Sequence, residues 1–135
     1  MQHIPIRFAD VDAAGIVYYP SFFHFYHMAF EDFFANAHGT HLAEWVGERG
    51  IGFPTTHLEA DFCSPLRYGE TLNIAITIPR IGESSFDFRF EARTGQSHCA
   101  AWSLVTKVCV NMDSLRPLPI PEELRRVFQR YGGAE

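Results

Sequence analysis

The chain has 135 residues, 47% of them hydrophobic and 20% charged, with a formal net charge of -5 at neutral pH. That length fits one domain, residues 1–135, with enough chain to bury a real core. The negative balance argues against a general nucleic-acid binder, and no apolar run reaches the ~20 residues that span a membrane. The three cysteines, Cys63, Cys99 and Cys109, form no C-x-x-C pair, so neither a zinc knuckle nor a redox motif is indicated. Met1 to Pro5 lacks the basic and apolar regions of a signal peptide. With the odd cysteine count, which suits a reducing compartment, this makes a cytoplasmic location the expectation.

Gln2 to Phe8 alternates, with Ile4, Ile6 and Phe8 on one face, so it reads as a strand. An Asp/Ala/Gly turn follows at Asp10 to Gly15. Ser21 to Ala37 contains no Gly or Pro and carries Phe22, Phe23, Phe25, Tyr26, Phe30, Phe33 and Phe34. These aromatics cover most of the helix circumference, and a helix that is apolar nearly all round is buried. Ser21, after Pro20, is placed as its N-cap, and Gly39 suits the position just past its end. Thr40 is placed to cap a short second helix, His41 to Glu48.

After Gly50 the period becomes two. The inward rows read as Leu58, Ala60 and Phe62, then Leu72, Ile74, Ile76 and Ile78, then Phe86, Phe88 and Phe90. The last row reads as Trp102, Leu104, Thr106, Val108 and Val110. Short breaks at Arg67 to Gly69, Arg80 to Glu83 and Thr94 to Gln96 point to antiparallel hairpins. A final helix opens with Pro121 at its first position and shows Leu124, Val127, Phe128 and Tyr131 as its apolar stripe. The order strand, buried helix, short helix, four strands, helix is α+β. A sheet curled around the aromatic helix would satisfy that helix's need for burial.

The chemistry concentrates in Asp10-Val11-Asp12-Ala13-Ala14-Gly15-Ile16-Val17-Tyr18-Tyr19. Two carboxylates sit at a strand end, just before the start of a buried helix. Helix N-termini carry free N–H groups and partial positive charge, which can hold a developing oxyanion. A carboxylate beside them could attack a carbonyl or activate water. Equally, Asp10 and Asp12 could simply build an Asx-turn.

This stretch resembles the signature of the 4-hydroxybenzoyl-CoA thioesterase family, a branch of the hotdog superfamily, in the form D-x-D-x-x-G-[IV]-V-[YW]-[YH]. The resemblance continues at Gly52-Phe53-Pro54, at Pro65 to Leu72 and through the later strands. It implies a five-stranded antiparallel sheet around a long helix and hydrolysis of an acyl-CoA to free acid and CoA. It implies Asp12 as nucleophile or general base, and the backbone N–H near Tyr19 as the group that polarises the thioester carbonyl. Gly15 would permit close backbone approach, Ile16, Val17 and Tyr18 would line the acyl or pantetheine channel, and Asp10 would be structural. Tyr19, where many relatives acting on short aliphatic substrates have His, leans toward aryl-CoA. His27 is placed to bond a ring hydroxyl or to accommodate an unsubstituted ring. No metal or redox cofactor is implied, and a homodimer or homotetramer with sites at the dimer interface is expected.

Other readings compete. A hotdog hydro-lyase would need a His working with a carboxylate, and a non-catalytic acyl-CoA binding module would need neither. His24, His27 and Glu31 share a helical face, yet such stripes without a fourth ligand seldom bind zinc. Ser64, Ser84, Ser85 and Ser103 lack a G-x-S-x-G context. For the CoA phosphates, Arg67, Arg80, Arg89, Arg93 and Lys107 compete with Arg116, Arg125, Arg126 and Arg130.

Overall fold

The computed structural model describes residues 2–95 and 98–132. Five strands form one antiparallel sheet: β1 (Gln2–Pro5), β3 (Thr55–Phe62), β4 (Thr71–Ile81), β5 (Ser85–Thr94) and β6 (His98–Val108), in the order β1-β4-β5-β6-β3. A two-residue ribbon pairs β2 (Ile51–Gly52) with β7 (Val110–Asn111). Helix α1 (Tyr19–Phe33) continues as a π-helical turn over Phe34–His38, and α2 (Leu42–Gly47) and α3 (Glu122–Gln129) complete the fold. The turn expected at Thr94 to Gln96 lies outside the described residues at Gln96.

The sheet wraps the aromatic side of α1, while His24, His27, Glu31 and Asp32 leave a polar strip exposed, so the helix is not buried nearly all round as its aromatics suggested. Phe22, Phe25, Tyr26, Phe30, Phe33 and Phe34 are all buried. Phe30 meets Phe88 and Phe34 with ring centroids 5.1 Å apart, and Phe33 also meets Phe88 at 5.1 Å. Edge-to-face contacts of this kind add to the area burial of each ring. Helix α3 closes the barrel-like end with Phe128, whose ring lies 4.7 Å from that of Phe86. Tyr131, beyond α3, packs its ring 4.8 Å from Phe33.

Several local expectations give way to tertiary structure. The first strand stops at Pro5, and Phe8 lies in a 3-10 turn (Phe8–Asp10) with its ring 79% exposed. Asp10 causes this by accepting the Arg7 N–H at 2.8 Å, which closes the turn. Helix α1 begins earlier than Ser21: Tyr18 is the N-cap and Pro20 falls in the first turn, where its missing N–H costs nothing. Its last turn widens to a π-helix that ends on Gly39, whose φ of +96° a side chain would strain. The second helix is capped at His41 rather than Thr40, without a side-chain bond. Pro121 is the N-cap of α3 rather than its first residue.

The β6 parity is inverted. Ala101, Ser103, Val105, Lys107 and Cys109 face the core, while Trp102, Leu104, Thr106 and Val108 are half-buried on the outer face. Pairing register decides this, since directly opposed residues share a face. Phe86 pairs with Lys107, Phe88 with Val105 and Phe90 with Ser103. Ser103 is satisfied by donating to the Glu59 carbonyl at 2.9 Å, and Trp102 lies outside under the Arg89 guanidinium at 4.5 Å. On β3, Leu58, Ala60 and Phe62 keep the expected parity, opposite Val105, Ser103 and Ala101. As the edge strand, however, β3 leaves Leu58 40% and Phe62 48% exposed.

Candidate active site

The Asp12 loop is a tight hairpin. Val11 bridges Val17, the Asp12 N–H donates to the Ile16 carbonyl at 2.9 Å and the Gly15 N–H to the Asp12 carbonyl at 2.9 Å. Gly15 sits at φ +79° with open space where a Cβ would point. It therefore serves as the left-handed turn residue of a three-residue hairpin loop. The hairpin is pinned from outside: the Val17 N–H donates to the Leu66 carbonyl at 2.8 Å, and Ile16 bridges Arg67. Asp10 accepts the Tyr18 N–H on its carbonyl at 2.9 Å and the Arg7 N–H on its carboxylate, which is the structural part foreseen for it.

Asp12 does build the Asx-turn, with Oδ1 accepting the Ala14 N–H at 2.8 Å. This fixes the carboxylate without using it up, because a carboxylate offers two oxygens and about four lone-pair sites. The exposed Asp12 side chain opens on a groove of about 700 Å³. Ile16, Val17, Tyr18, Tyr19 and Phe22 form one wall, and Phe62 to Leu66 the other. Tyr19 is the first residue of α1 and its ring is 60% exposed. The next donors along are unavailable: Pro20 has none, and the Ser21 N–H is taken by the Tyr18 carbonyl at 2.8 Å. Among the described residues the Tyr19 N–H has no acceptor, so Asp12 and a helix-start residue with a free donor line one apolar groove.

His27 is not part of this groove. It lines a separate cavity between α1 and β3, with Phe23, Tyr26, Phe30 and Lys107. Tyr19 and His27 are eight residues apart, which is ~12 Å along a helix. His24 faces yet another depression, with Asp10 and Asp32. Among the described residues no group of three or more His, Cys, Asp or Glu is placed to hold a metal ion. Sequence reasoning also missed a contact on the groove rim: the Ser64 hydroxyl shares a hydrogen bond with Nε2 of His98. The two residues are 34 positions apart and meet only through the β3–β6 pairing, so no local signal could have joined them.

Residues 6–128 match the thioesterase-like superfamily. The chain belongs to this superfamily. The 1,4-dihydroxy-2-naphthoyl-CoA hydrolase of Thermosynechococcus vestitus is 29% identical over 119 residues, 88% of this chain and 81% of that one. The hydrolase of the same name from Synechococcus elongatus is 31% identical over 126 residues, 92% of this chain and 90% of that one. A solved gentisyl-coenzyme A thioesterase, 28% identical, superposes with a TM-score of 0.83 over 92% of this chain and 98% of that one. The protein is a thioester hydrolase with the hotdog fold.

In this thioesterase-like chain most of the basic residues are already engaged. Arg80 grips Asp87 with two bonds of 3.0 and 3.1 Å. Burial alone would raise the Asp87 pKa, but the bonds from Arg80 and Thr106 outweigh it and hold the carboxyl below its ordinary range. Arg93 and Arg89 both bond Glu91, which lowers that carboxyl as well. Arg125 donates to the carbonyls of Gly82 and Glu83, and Arg126 pairs with Glu122 at 3.6 Å. Lys107 is buried. Arg67 is exposed and bridged to Ile16, one residue from the groove wall. No helix in the described chain is long and apolar enough to cross a membrane.

Proposed function

We propose that this thioesterase hydrolyses acyl-CoA, with aryl-CoA as the preferred class, and that Asp12 and the Tyr19 N–H carry the chemistry. The observation that supports this is the pairing of the Asp12 carboxylate with an unpartnered helix-start N–H on one groove. The thioester carbonyl oxygen accepts from the Tyr19 N–H, where the helix dipole favours the developing negative charge. Asp12 then either attacks the carbonyl carbon, the C–S bond breaking to release CoA as the thiolate and water hydrolysing the resulting Asp12 anhydride to the free acid, or takes a proton from a water that attacks the carbonyl carbon and displaces the same thiolate. Ile16, Val17 and Tyr18 guide the pantetheine arm, and Arg67 meets the CoA phosphates. The chemistry draws on no metal or redox group. Relatives named for dihydroxynaphthoyl-CoA and gentisyl-CoA support an aromatic acyl group, within the 4-hydroxybenzoyl-CoA thioesterase branch.

The active unit in this reading is a homodimer joined through β3. That strand is a sheet edge with free backbone groups and exposed Leu58 and Phe62 beside exposed Tyr18 and Tyr19. Unprotected apolar edges pair with a second copy. Antiparallel pairing about the middle of Thr55–Phe62 sets Thr55 against Phe62 of the partner subunit. The Asp12 groove at the Phe62 end then meets the partner's His27 cavity at the Thr55 end, so two half-sites join into one. A cytoplasmic location fits this use of CoA.

The test is thiol release from a panel running from acetyl- to palmitoyl-CoA and including benzoyl-, hydroxybenzoyl- and phenylacetyl-CoA. Wild type, Asp12→Asn and Ser64→Ala are compared. Loss of at least ~100-fold in Asp12→Asn, with Ser64→Ala within ~10-fold of wild type, is expected for a direct catalytic carboxylate. A fully active Asp12→Asn would leave the aspartate as a turn residue only. Collapse in Ser64→Ala alone would move the nucleophile to the Ser64–His98 pair. Hydration of an enoyl-CoA without thiol release would indicate a hydro-lyase instead.

A further inference from the structure

The cavity lined by His27 has a volume of about 180 Å³. Four aromatic rings, Phe23, Tyr26, Phe30 and Phe90, line it with Leu58 and Val105. An apolar cavity of ~150 Å³ holds one benzene molecule, so this one matches a single substituted ring. A neighbouring space of about 310 Å³ shares His27, Phe30 and Lys107 with it, which leaves room for a larger aromatic system. The buried Tyr26 hydroxyl has no hydrogen-bond partner among the described residues.

Packing does not explain Lys107. It is 7% exposed, on the inward row of β6. An ammonium has three donors, and among the described residues this one has a single acceptor, the Phe53 carbonyl at 3.3 Å. Its Nζ otherwise lies 4.3 Å from the centroid of the Phe30 ring. Burial pulls its pKa down to about 8, with no carboxylate among the described residues acting against it. At neutral pH it is still mostly charged. A buried cation without a counter-charge is costly, and a methionine would fill the same space without that cost. The position is suited to a ligand that brings the missing acceptor.

We propose that Lys107 recognises a hydroxyl, as phenol or phenolate, on the aromatic ring of the acyl group, with His27 beside it at the same cavity. The proposal rests on the aryl-CoA reading and on the β3-joined dimer, in which the thioester reaches Asp12 of the partner subunit. The ring stacks among the phenyl groups and its oxygen accepts a charge-assisted hydrogen bond from Nζ. An unsubstituted ring leaves the ammonium unpaired, and sites built to bond a hydroxyl discriminate strongly against analogues lacking it.

The experiment compares kcat/KM for the 2-, 3- and 4-hydroxybenzoyl-CoA isomers with that for benzoyl-CoA, in wild type, Lys107→Met and Lys107→Gln. The readout is the ratio of the best hydroxylated substrate to benzoyl-CoA. A fall in that ratio of ~30-fold or more in folded variants supports the assignment, and a ratio unchanged within ~3-fold overturns it. If wild type hydrolyses only aliphatic acyl-CoAs, the aryl reading itself has failed. The cavity is then decided by absorbance spectra of 4-nitrophenol with wild type and Lys107→Met. Excess phenolate with wild type that is lost in the variant supports phenol binding at Lys107, and identical spectra overturn it. If neither variant folds, phenolate formation with wild type alone supports the site and its absence overturns it.

Discussion

Replacing Lys107 by methionine changes how stability depends on pH, and the change is calculable. The Lys107 pKa drops from its ordinary 10.5 in the unfolded chain to about 8 in the folded one. At ~1.4 kcal/mol per pH unit, that gap amounts to about 3 kcal/mol. The sign follows from proton counting. Below about pH 8 both states carry the proton, and the folded state bears the full cost of the buried charge. Between about 8 and 10.5 the unfolded chain holds a proton that the folded chain does not, so wild-type stability from this group rises with pH. Above that range the cost is gone. The variant lacks the effect altogether. Its loss of the Phe53 bond and the Phe30 contact is a constant offset, independent of pH below the lysine's titration.

Urea unfolding of both proteins between pH 7 and pH 10 reads the difference directly. The variant's stability relative to wild type should fall by about 2–3 kcal/mol across that range. Cys109 is pushed up to about 11 by burial, and Tyr26, on the same cavity, is also raised. Both lower stability at high pH in the two proteins alike and cancel in the difference. A difference that stays flat from pH 7 to pH 10 would show that Lys107 is not a desolvated cation, and the reasoning about its site would go with it.

Leu58→Glu places a charge on the inner side of the exposed edge, and sedimentation should show a shift to monomer with at least ~10-fold loss of thiol release. Retention of both the dimer and the activity would rule out β3 as the joining edge. Arg67→Ala should raise KM for acyl-CoA by ~5-fold with kcat little changed, and make KM less sensitive to salt. A kcat effect alone would place Arg67 elsewhere in the mechanism. Gly15→Ala puts a Cβ at φ +79°, and urea unfolding should register a loss of about 1–2 kcal/mol. An unchanged midpoint would mean the hairpin relaxes to another turn.

The sequence determined what depends on local order and on periodicity. The aromatics spaced from Phe22 to Phe34 required a helix with a wide buried face, and the exposed His24, His27, Glu31 and Asp32 set its limit. Alternation fixed the strand positions on β4 and β5, where only one face is strongly apolar. Asp12, Gly15 and Tyr19 were legible because the hairpin loop and helix start that present them span only eight residues.

The tertiary structure decided everything that depends on which segments face each other. The β6 strand is apolar on both faces, so its parity could not be read from alternation. It was set by the pairing of Phe86, Phe88 and Phe90 with Lys107, Val105 and Ser103. That same register carried Lys107 into the core, where a sequence reader places a lysine last. It also brought Ser64 to His98 across the sheet and separated His27 from Asp12 along α1. Contacts between distant segments leave no periodic trace in either segment, because each side chain's partner is chosen by strand register and helix packing rather than by its neighbours in the chain.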